Sequence, residues 1–294
     1  MRFWGFRAPL GAWVAIWGAL AMLTSAPFDD WWHNAYGLDV KIVSPPHMVL
    51  ALGIFGIVLG ALLLALAEQN RDALTRPAAS GAAYLYGSGL LVTIMGILTI
   101  EYTRANVQHG TQFYVVCCLV FPLVLAAVGR AGRLKWPATS AAAVYMLFFM
   151  LSIWILPLFD AQPMLGPIYN PVDYMVPQSF PVLLVVPALA LDLLMARFGR
   201  GRDWALTVVA AVAFLAVLVA VQWHFAKLLI SPGAENWFFG SDRNWGYYSR
   251  NGSWRHEFWG QALSWKGASI ALGVALVTTR LGLWWGSWMT RVRR

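Results

Sequence analysis

Residues 48–67 read MVLALGIFGIVLGALLLALA: twenty residues without a charge, bounded by Ser44-Pro45-Pro46-His47 before and by Glu68, Asn70 and Arg71 after. Wound as an α-helix at about 1.5 Å per residue, such a run spans roughly 30 Å, the thickness of a bilayer's hydrocarbon core. In that solvent an open strand would leave backbone N–H and C=O groups unpaired, so the run must be a helix.

Runs of the same kind recur along the chain. Helices are predicted at about 8–26, 47–68, 81–103, 112–130, 138–158, 178–198, 204–224 and 264–286. Residues 1–294 therefore read as a single all-α transmembrane domain, a helical bundle of about eight crossings. The first helix follows Arg2 and Arg7 and runs into Thr24-Ser25-Ala26, which imitates a secretory leader. Pro27 directly after Ala26 disfavours cleavage there, so helix 1 is expected to stay.

Composition agrees. The chain is 60% hydrophobic and only 12% charged, about half the charge of an ordinary soluble domain. Its 17 Trp suit the membrane–water interface, where an indole keeps one edge wet. A net charge of +8 does not indicate nucleic acid, because the cations lie in short caps between apolar runs. With the N-terminus inside, those inner caps hold 14 of the 21 Lys and Arg, including Arg71, Arg76, Arg130, Arg133, Lys135, Arg197, Arg200 and Arg202. The positive-inside rule thus places both termini in the cytoplasm, most simply in a bacterial inner membrane. Adjacent Cys117 and Cys118 read as small buried hydrophobes rather than a disulfide.

The outer segments are the long ones: 27–46, 159–177 and 225–263. All five histidines fall on that side: His33, His47, His109, His224 and His256. The densest stretch is Phe28-Asp29-Asp30-Trp31-Trp32-His33, followed by Asp39 and by Ser44-Pro45-Pro46-His47. If 28–34 is helical, Asp29 and His33 share a face at i, i+4, with Asp30 and His33 at i, i+3 as the alternative. One carboxylate and two imidazoles converging there suit copper, zinc or iron. A structural Asp–His hydrogen bond, with His47 capping the next helix, is the plainer reading. Asp30, Asp39, His224 and His256 are read as solvated, capping or interfacial residues.

The segment Asp29-x-x-Trp32-His33 … Asp39 … Ser44-Pro45-Pro46-His47 resembles the copper-site segment of the C subunit of particulate methane and ammonia monooxygenases. The resemblance covers about 25 of the 294 residues, with one residue more between the two histidines than in the family. It implies that Asp29, His33 and His47 bind copper. A second ligand set of that family, an Asn and a His one turn apart, is similar to Asn106-Val107-Gln108-His109, here at i, i+3, with Glu101 as a further candidate ligand or proton acceptor. The implied activity is a copper-dependent monooxygenase, which would also need an electron donor and other subunits.

Three other readings stay open. Paired histidines can ligate haem, as in a cytochrome b-like electron carrier, but such pairs usually lie inside helices. Two His and a carboxylate can hold zinc, although no H-E-x-x-H, G-x-S-x-G or P-loop accompanies them. A non-catalytic structural or assembly subunit would leave the histidines unused. A transporter is disfavoured, because the helix centres look almost wholly apolar and a translocation path is not evident.

Overall fold

The computed structural model describes residues 2–3, 5–37, 43–71, 77–162, 172–199, 201–243 and 255–293. Eight α-helices are described: α1 (Leu10–Tyr36), α2 (Pro45–Arg71), α3 (Pro77–Leu98), α4 (Thr111–Ala131), α5 (Pro137–Ile155), α6 (Val185–Phe198), α7 (Asp203–Leu229) and α8 (Trp265–Met289). A two-residue hairpin, Arg2–Phe3 against Phe6–Arg7, precedes α1. Among the described residues seven helices, all but α6, are long and apolar enough to cross a bilayer. The chain is thus an all-helical, multi-pass protein whose apolar helices fit a lipid environment.

Helix α4 is the axis. Phe113, Tyr114, Cys117, Cys118, Phe121 and Val124 on it are buried, and both cysteines are free thiols. Helix α8 lies close beside it, with Gly282 and Gly286 set against the α4 backbone at Leu123 and Ala127. At the start of α8, the Ser264 hydroxyl accepts from the Gly267 N–H at 3.1 Å, an N-cap that fixes where the helix begins.

Helix α1 is peripheral and packs on α2 alone to any extent. Small residues seven apart make that contact: Gly11, Gly18 and Ser25 are the buried positions of α1. A Cβ on Gly11 would stand 2.5 Å from the Gly60 carbonyl oxygen, and one on Gly18 2.7 Å from that of Gly53. The two backbones are therefore in contact, as small-residue seams allow in membranes. The opposite face of α1, with Ile16, Trp17, Leu20 and Leu23, is exposed, as a lipid-facing surface is.

Several predicted boundaries move. Helix α1 continues ten residues past Ala26 to Tyr36, and α2 begins at Pro45, so both ends of the expected loop 27–46 are helical. Pro27 sits inside α1; a proline removes one N–H donor, a loss that membrane helices tolerate. Helix α3 stops at Leu98 and gives way to the 3-10 turns Ile100–Tyr102 and Ala105–Val107 instead of running to 103. Helix α7 runs on to Leu229, which puts His224 within the helix and shortens the expected loop 225–263. Loop 159–177 is described only at its ends.

The predicted sixth crossing departs most. A helix over 178–198 is predicted, yet residues 175–183 are neither helix nor strand and α6 has 14 residues, about 21 Å at 1.5 Å each. Pro177, Pro181 and Pro187 explain it. Each lacks an N–H, and Pro177 and Pro181 push Val176 and Phe180 out of the helical region. This non-helical part runs antiparallel beside α5, with Gln178 Nε2 donating to the Phe149 carbonyl at 3.3 Å and the Val182 N–H to the Tyr145 hydroxyl at 3.2 Å. The Leu183 N–H donates to Gln222 Oε1 at 3.0 Å, and Gln222 Nε2 in turn to Gln108 Oε1 at 2.6 Å. The expectation of a continuous helix over 178–198 is thus corrected. The break is closed by side chains inside the protein, the condition under which irregular backbone survives at membrane depth.

Candidate metal centre

The small-residue seam aims the ends of α1 and α2 at one point. Ser25, the last buried position of α1, lies one turn before Asp29, and His47 stands in the first turn of α2. Asp29 Oδ1 lies 3.4 Å from His33 Nε2 and 3.7 Å from His47 Nε2. The two imidazole rings are 6.5 Å apart and inclined at 66°. The carboxylate that faces His33 is the one at i, i+4; Asp30 is exposed. Asp39 lies outside the described residues.

His33 is oriented by the end of its own helix. Gly37 terminates α1 with φ +84°, a conformation that favours glycine, and its N–H donates to the His33 carbonyl at 2.9 Å. The Gly37 carbonyl comes back 2.9 Å from His33 Nδ1. A carbonyl only accepts, so Nδ1 carries the hydrogen, and in a neutral ring Nε2 is a bare lone pair. That lone pair faces Asp29 Oδ1, itself an acceptor, which is buried and makes no hydrogen bond. Two acceptors 3.4 Å apart call for a cation between them: a proton on His33 or a metal ion.

The spacing suits the second. Ligand atoms about 2.0–2.1 Å from a tetrahedral ion are about 3.3 Å from one another, close to the two separations seen. As the side chains stand, the set is open: among the described residues no group of three or more His, Cys, Asp or Glu is arranged to hold an ion. The three residues, each about one-third exposed, leave room for a further ligand.

Beside His47 lies an apolar cavity of about 290 Å³, walled by Met48, Ala51 and Ile54 of α2 and Ile94, Ile97 and Leu98 of α3. His47 is the polar group at its rim.

The residues of the second candidate set are engaged elsewhere. Asn106 Nδ2 donates to the carbonyls of Arg255 and Glu257 at 3.1 and 2.8 Å, and the Asn106 carbonyl accepts from the Trp259 N–H at 2.8 Å. His109 is sandwiched between Trp223 and Phe258, with ring centroids 3.7 and 3.6 Å away. Its Nε2–H donates to the Trp223 carbonyl at 2.8 Å. Burial pushes its pKa down, aided by the nearby Lys227 and His224 charges and opposed by the bond to Trp223. Asn106 and His109 thus staple segment 255–263 across the bundle end. Glu101 is half-buried in the separate turn Ile100–Tyr102.

Of the remaining histidines, His224 is exposed on α7. His256 Nδ1 donates to the Ile230 carbonyl at 2.6 Å, and its Nε2 lies 3.4 Å from Glu235, which also pairs with Arg255 at 3.0 Å. All five histidines do gather at one end of the bundle, yet only His33 and His47 face a common carboxylate. Sequence reasoning missed Gly37 and the seam that sets the α1–α2 distance. The signal for the seam was present in the heptad spacing of Gly11, Gly18 and Ser25 and of Gly53 and Gly60.

No protein-family model, no curated protein and no solved structure matches this chain.

Proposed function

We propose that this chain is an integral membrane copper protein whose ion is held by Asp29, His33 and His47 at the histidine-bearing end. In this reading the chain makes eight crossings, the sixth only partly helical. Both termini lie on the arginine-rich cytoplasmic side of a bacterial inner membrane, with the site at the outer face.

The observation that carries the metal is the pair of opposed acceptors. His33 Nε2, stripped of its hydrogen by the Nδ1–H bond to Gly37, points at a buried Asp29 oxygen that has no hydrogen bond. The Gly37 carbonyl then does what partners behind a ligating histidine usually do, fixing its tautomer and ring angle. His47 closes the third side, and His33 and His47 remain accessible enough for an ion to enter. Imidazole donors suit copper among the candidate ions, and the resemblance of this segment to a copper-site segment favours it over zinc.

Copper held by imidazoles cycles between Cu(I) and Cu(II), which suits oxygen chemistry. The apolar cavity at His47 supports an apolar molecule reaching the site from the bilayer, in line with a monooxygenase-like oxidation supplied with electrons by another subunit. Within this chain, Asp29 supplies the negative charge, His33 and His47 the neutral donors, and Met48, Ile94 and Ile97 the dry wall.

The test is metal content of the detergent-purified protein after loading with copper or zinc, beside His33→Ala and His47→Ala. Near-stoichiometric copper, lost in both variants while their helix content and monodispersity are kept, is the expected result. No copper retained by the wild-type chain overturns the reading.

A further inference from the structure

The opposite, arginine-rich end holds a second cavity, of about 240 Å³, between the ends of α4, α5 and α6. It is more polar than the cavity at His47, lined by Arg130, Lys135 and Asp192 together with Leu134, Pro137 and Met195. Asp192 is buried, and its carboxylate is occupied. It accepts from the Ala138 N–H at 3.2 Å, the Thr139 N–H at 2.8 Å and the Thr139 hydroxyl at 2.7 Å. It thereby caps the start of α5, and its lone pairs are engaged. Arg130 is anchored at the rim by Asp203 at 2.6 Å. Lys135 is exposed, as are Arg133 and Arg197, each next in sequence to a lining residue. Two cations, Arg130 and Lys135, thus line the cavity with one carboxylate, and Asp192, like the Asp203 that holds Arg130, already has partners.

Depth says which anion reaches this place. Trp136 is the N-cap of α5, and the Lys135 ammonium lies 5.6 Å from its ring centroid. At the same end the Arg280 guanidinium sits 4.9 Å over the Trp204 ring. Indoles beside cations mark the headgroup level of a bilayer. A basic, polar cavity between helices at that level matches the chemistry by which membrane proteins hold anionic headgroups. We propose that this cavity binds the phosphate ester of an anionic lipid headgroup, with Lys135 and Arg130 facing the phosphate and Arg133 and Arg197 at the rim. The site is independent of the copper centre, which lies at the other end.

The test uses the full chain in nanodiscs of phosphatidylcholine mixed with phosphatidylglycerol, with lipid retained on the protein counted by native mass spectrometry. Preferential retention of phosphatidylglycerol is expected, falling about fivefold for each cation removed in Lys135→Gln and Arg133→Gln, and unchanged in Arg71→Gln, at the same end but outside the cavity's lining. A second arm adds glycerol 3-phosphate to the detergent-solubilised protein. Displacement of the lipid only at large excess assigns the site to lipid. Binding of glycerol 3-phosphate as tight as that of the lipid overturns the lipid assignment in favour of a soluble phosphate ester. Equal retention of both lipids, or equal losses in Lys135→Gln and Arg71→Gln, overturns the site itself.

Discussion

Gly18 of α1 and Gly53 of α2 face each other with no space for a side chain: a Cβ on Gly18 would stand 2.7 Å from the Gly53 carbonyl oxygen, and one on Gly53 2.8 Å from that of Gly18. Gly11 and Gly60 repeat the contact one heptad away, at 2.5 Å in each direction. Asp29 and His47 lie further along the same seam and meet because the helices touch. Gly18→Val is therefore expected to force the helices apart, destabilising the protein by about 1–3 kcal/mol and abolishing copper retention although every ligand is intact. Gly273→Ala, where a Cβ meets nothing within 4 Å, is the control. Thermal unfolding in detergent and metal content read the two effects. Full copper retention in Gly18→Val would show that the site does not depend on the seam.

How far the sequence could be read follows from what each signal measures. Hydropathy registers lipid solvation, so the long apolar runs such as 48–67 were legible to within a few residues. It does not register backbone conformation, so α1 was cut at Pro27, where apolarity ends, while the helix goes on through Asp29 and His33 to Gly37. At residues 178–198 the same blindness works in reverse. The run is apolar enough, yet Pro177, Pro181 and Pro187 forbid its first half from winding, and hydropathy does not register them. The pairing of Asp29 with His33 was legible from their i, i+4 spacing. That His47 joins them was carried by a resemblance, because the distance across α1 and α2 depends on glycines whose role only packing reveals. Asn106 and His109 looked like ligands because ligands and staples use the same atoms. Their partners, the carbonyls of Arg255, Glu257 and Trp223, are more than a hundred residues away in the chain.

Gln222 holds the non-helical segment that leads into α6. It accepts from the Leu183 N–H and donates to Gln108, and it is fully buried. Gln222→Leu would leave both groups without that partner at a depth where water is scarce, at a cost of about 1–3 kcal/mol for each. Gln178→Leu, which removes one longer bond from a less buried residue, is expected to cost less. The expected result is a lower unfolding temperature for Gln222→Leu together with faster hydrogen exchange at Leu183 and Leu184. Unchanged exchange there would mean that another group supports the segment.

His109 makes the histidine end acid-sensitive. Burial between Trp223 and Phe258 holds its pKa below the ordinary 6.5. Above that value the ring is neutral in both folded and unfolded chains, and nothing is lost. As pH falls below about 6.5 the unfolded chain binds a proton that the folded one refuses, so stability declines until the folded pKa is passed. Unfolding temperature should thus drop between pH 7.5 and pH 5. His109→Phe, which keeps an aromatic ring in the sandwich and cannot titrate, should flatten that drop while losing the bond to the Trp223 carbonyl. An equally steep acid loss in His109→Phe would assign the sensitivity to other groups.

The opposed acceptors of Asp29 and His33 make proton and metal alternative occupants of one gap. Copper binding should therefore release protons, and apparent affinity should weaken as the pH is lowered, because a proton on His33 Nε2 satisfies the same two atoms that the ion would bridge. Asp29→Asn separates the two occupants. The amide can donate its own N–H to His33 Nε2, so the fold is kept, but the charge that draws the ion is gone. Copper affinity is expected to fall at least tenfold, the scale seen when groups supporting metal sites are removed, and proton release on loading should shrink with it. Calorimetric titration in two buffers of different ionisation enthalpy measures both quantities on the same sample. Copper binding of undiminished affinity in Asp29→Asn would mean that the carboxylate merely orients His33 and that the ion, if held, rests on the imidazoles alone.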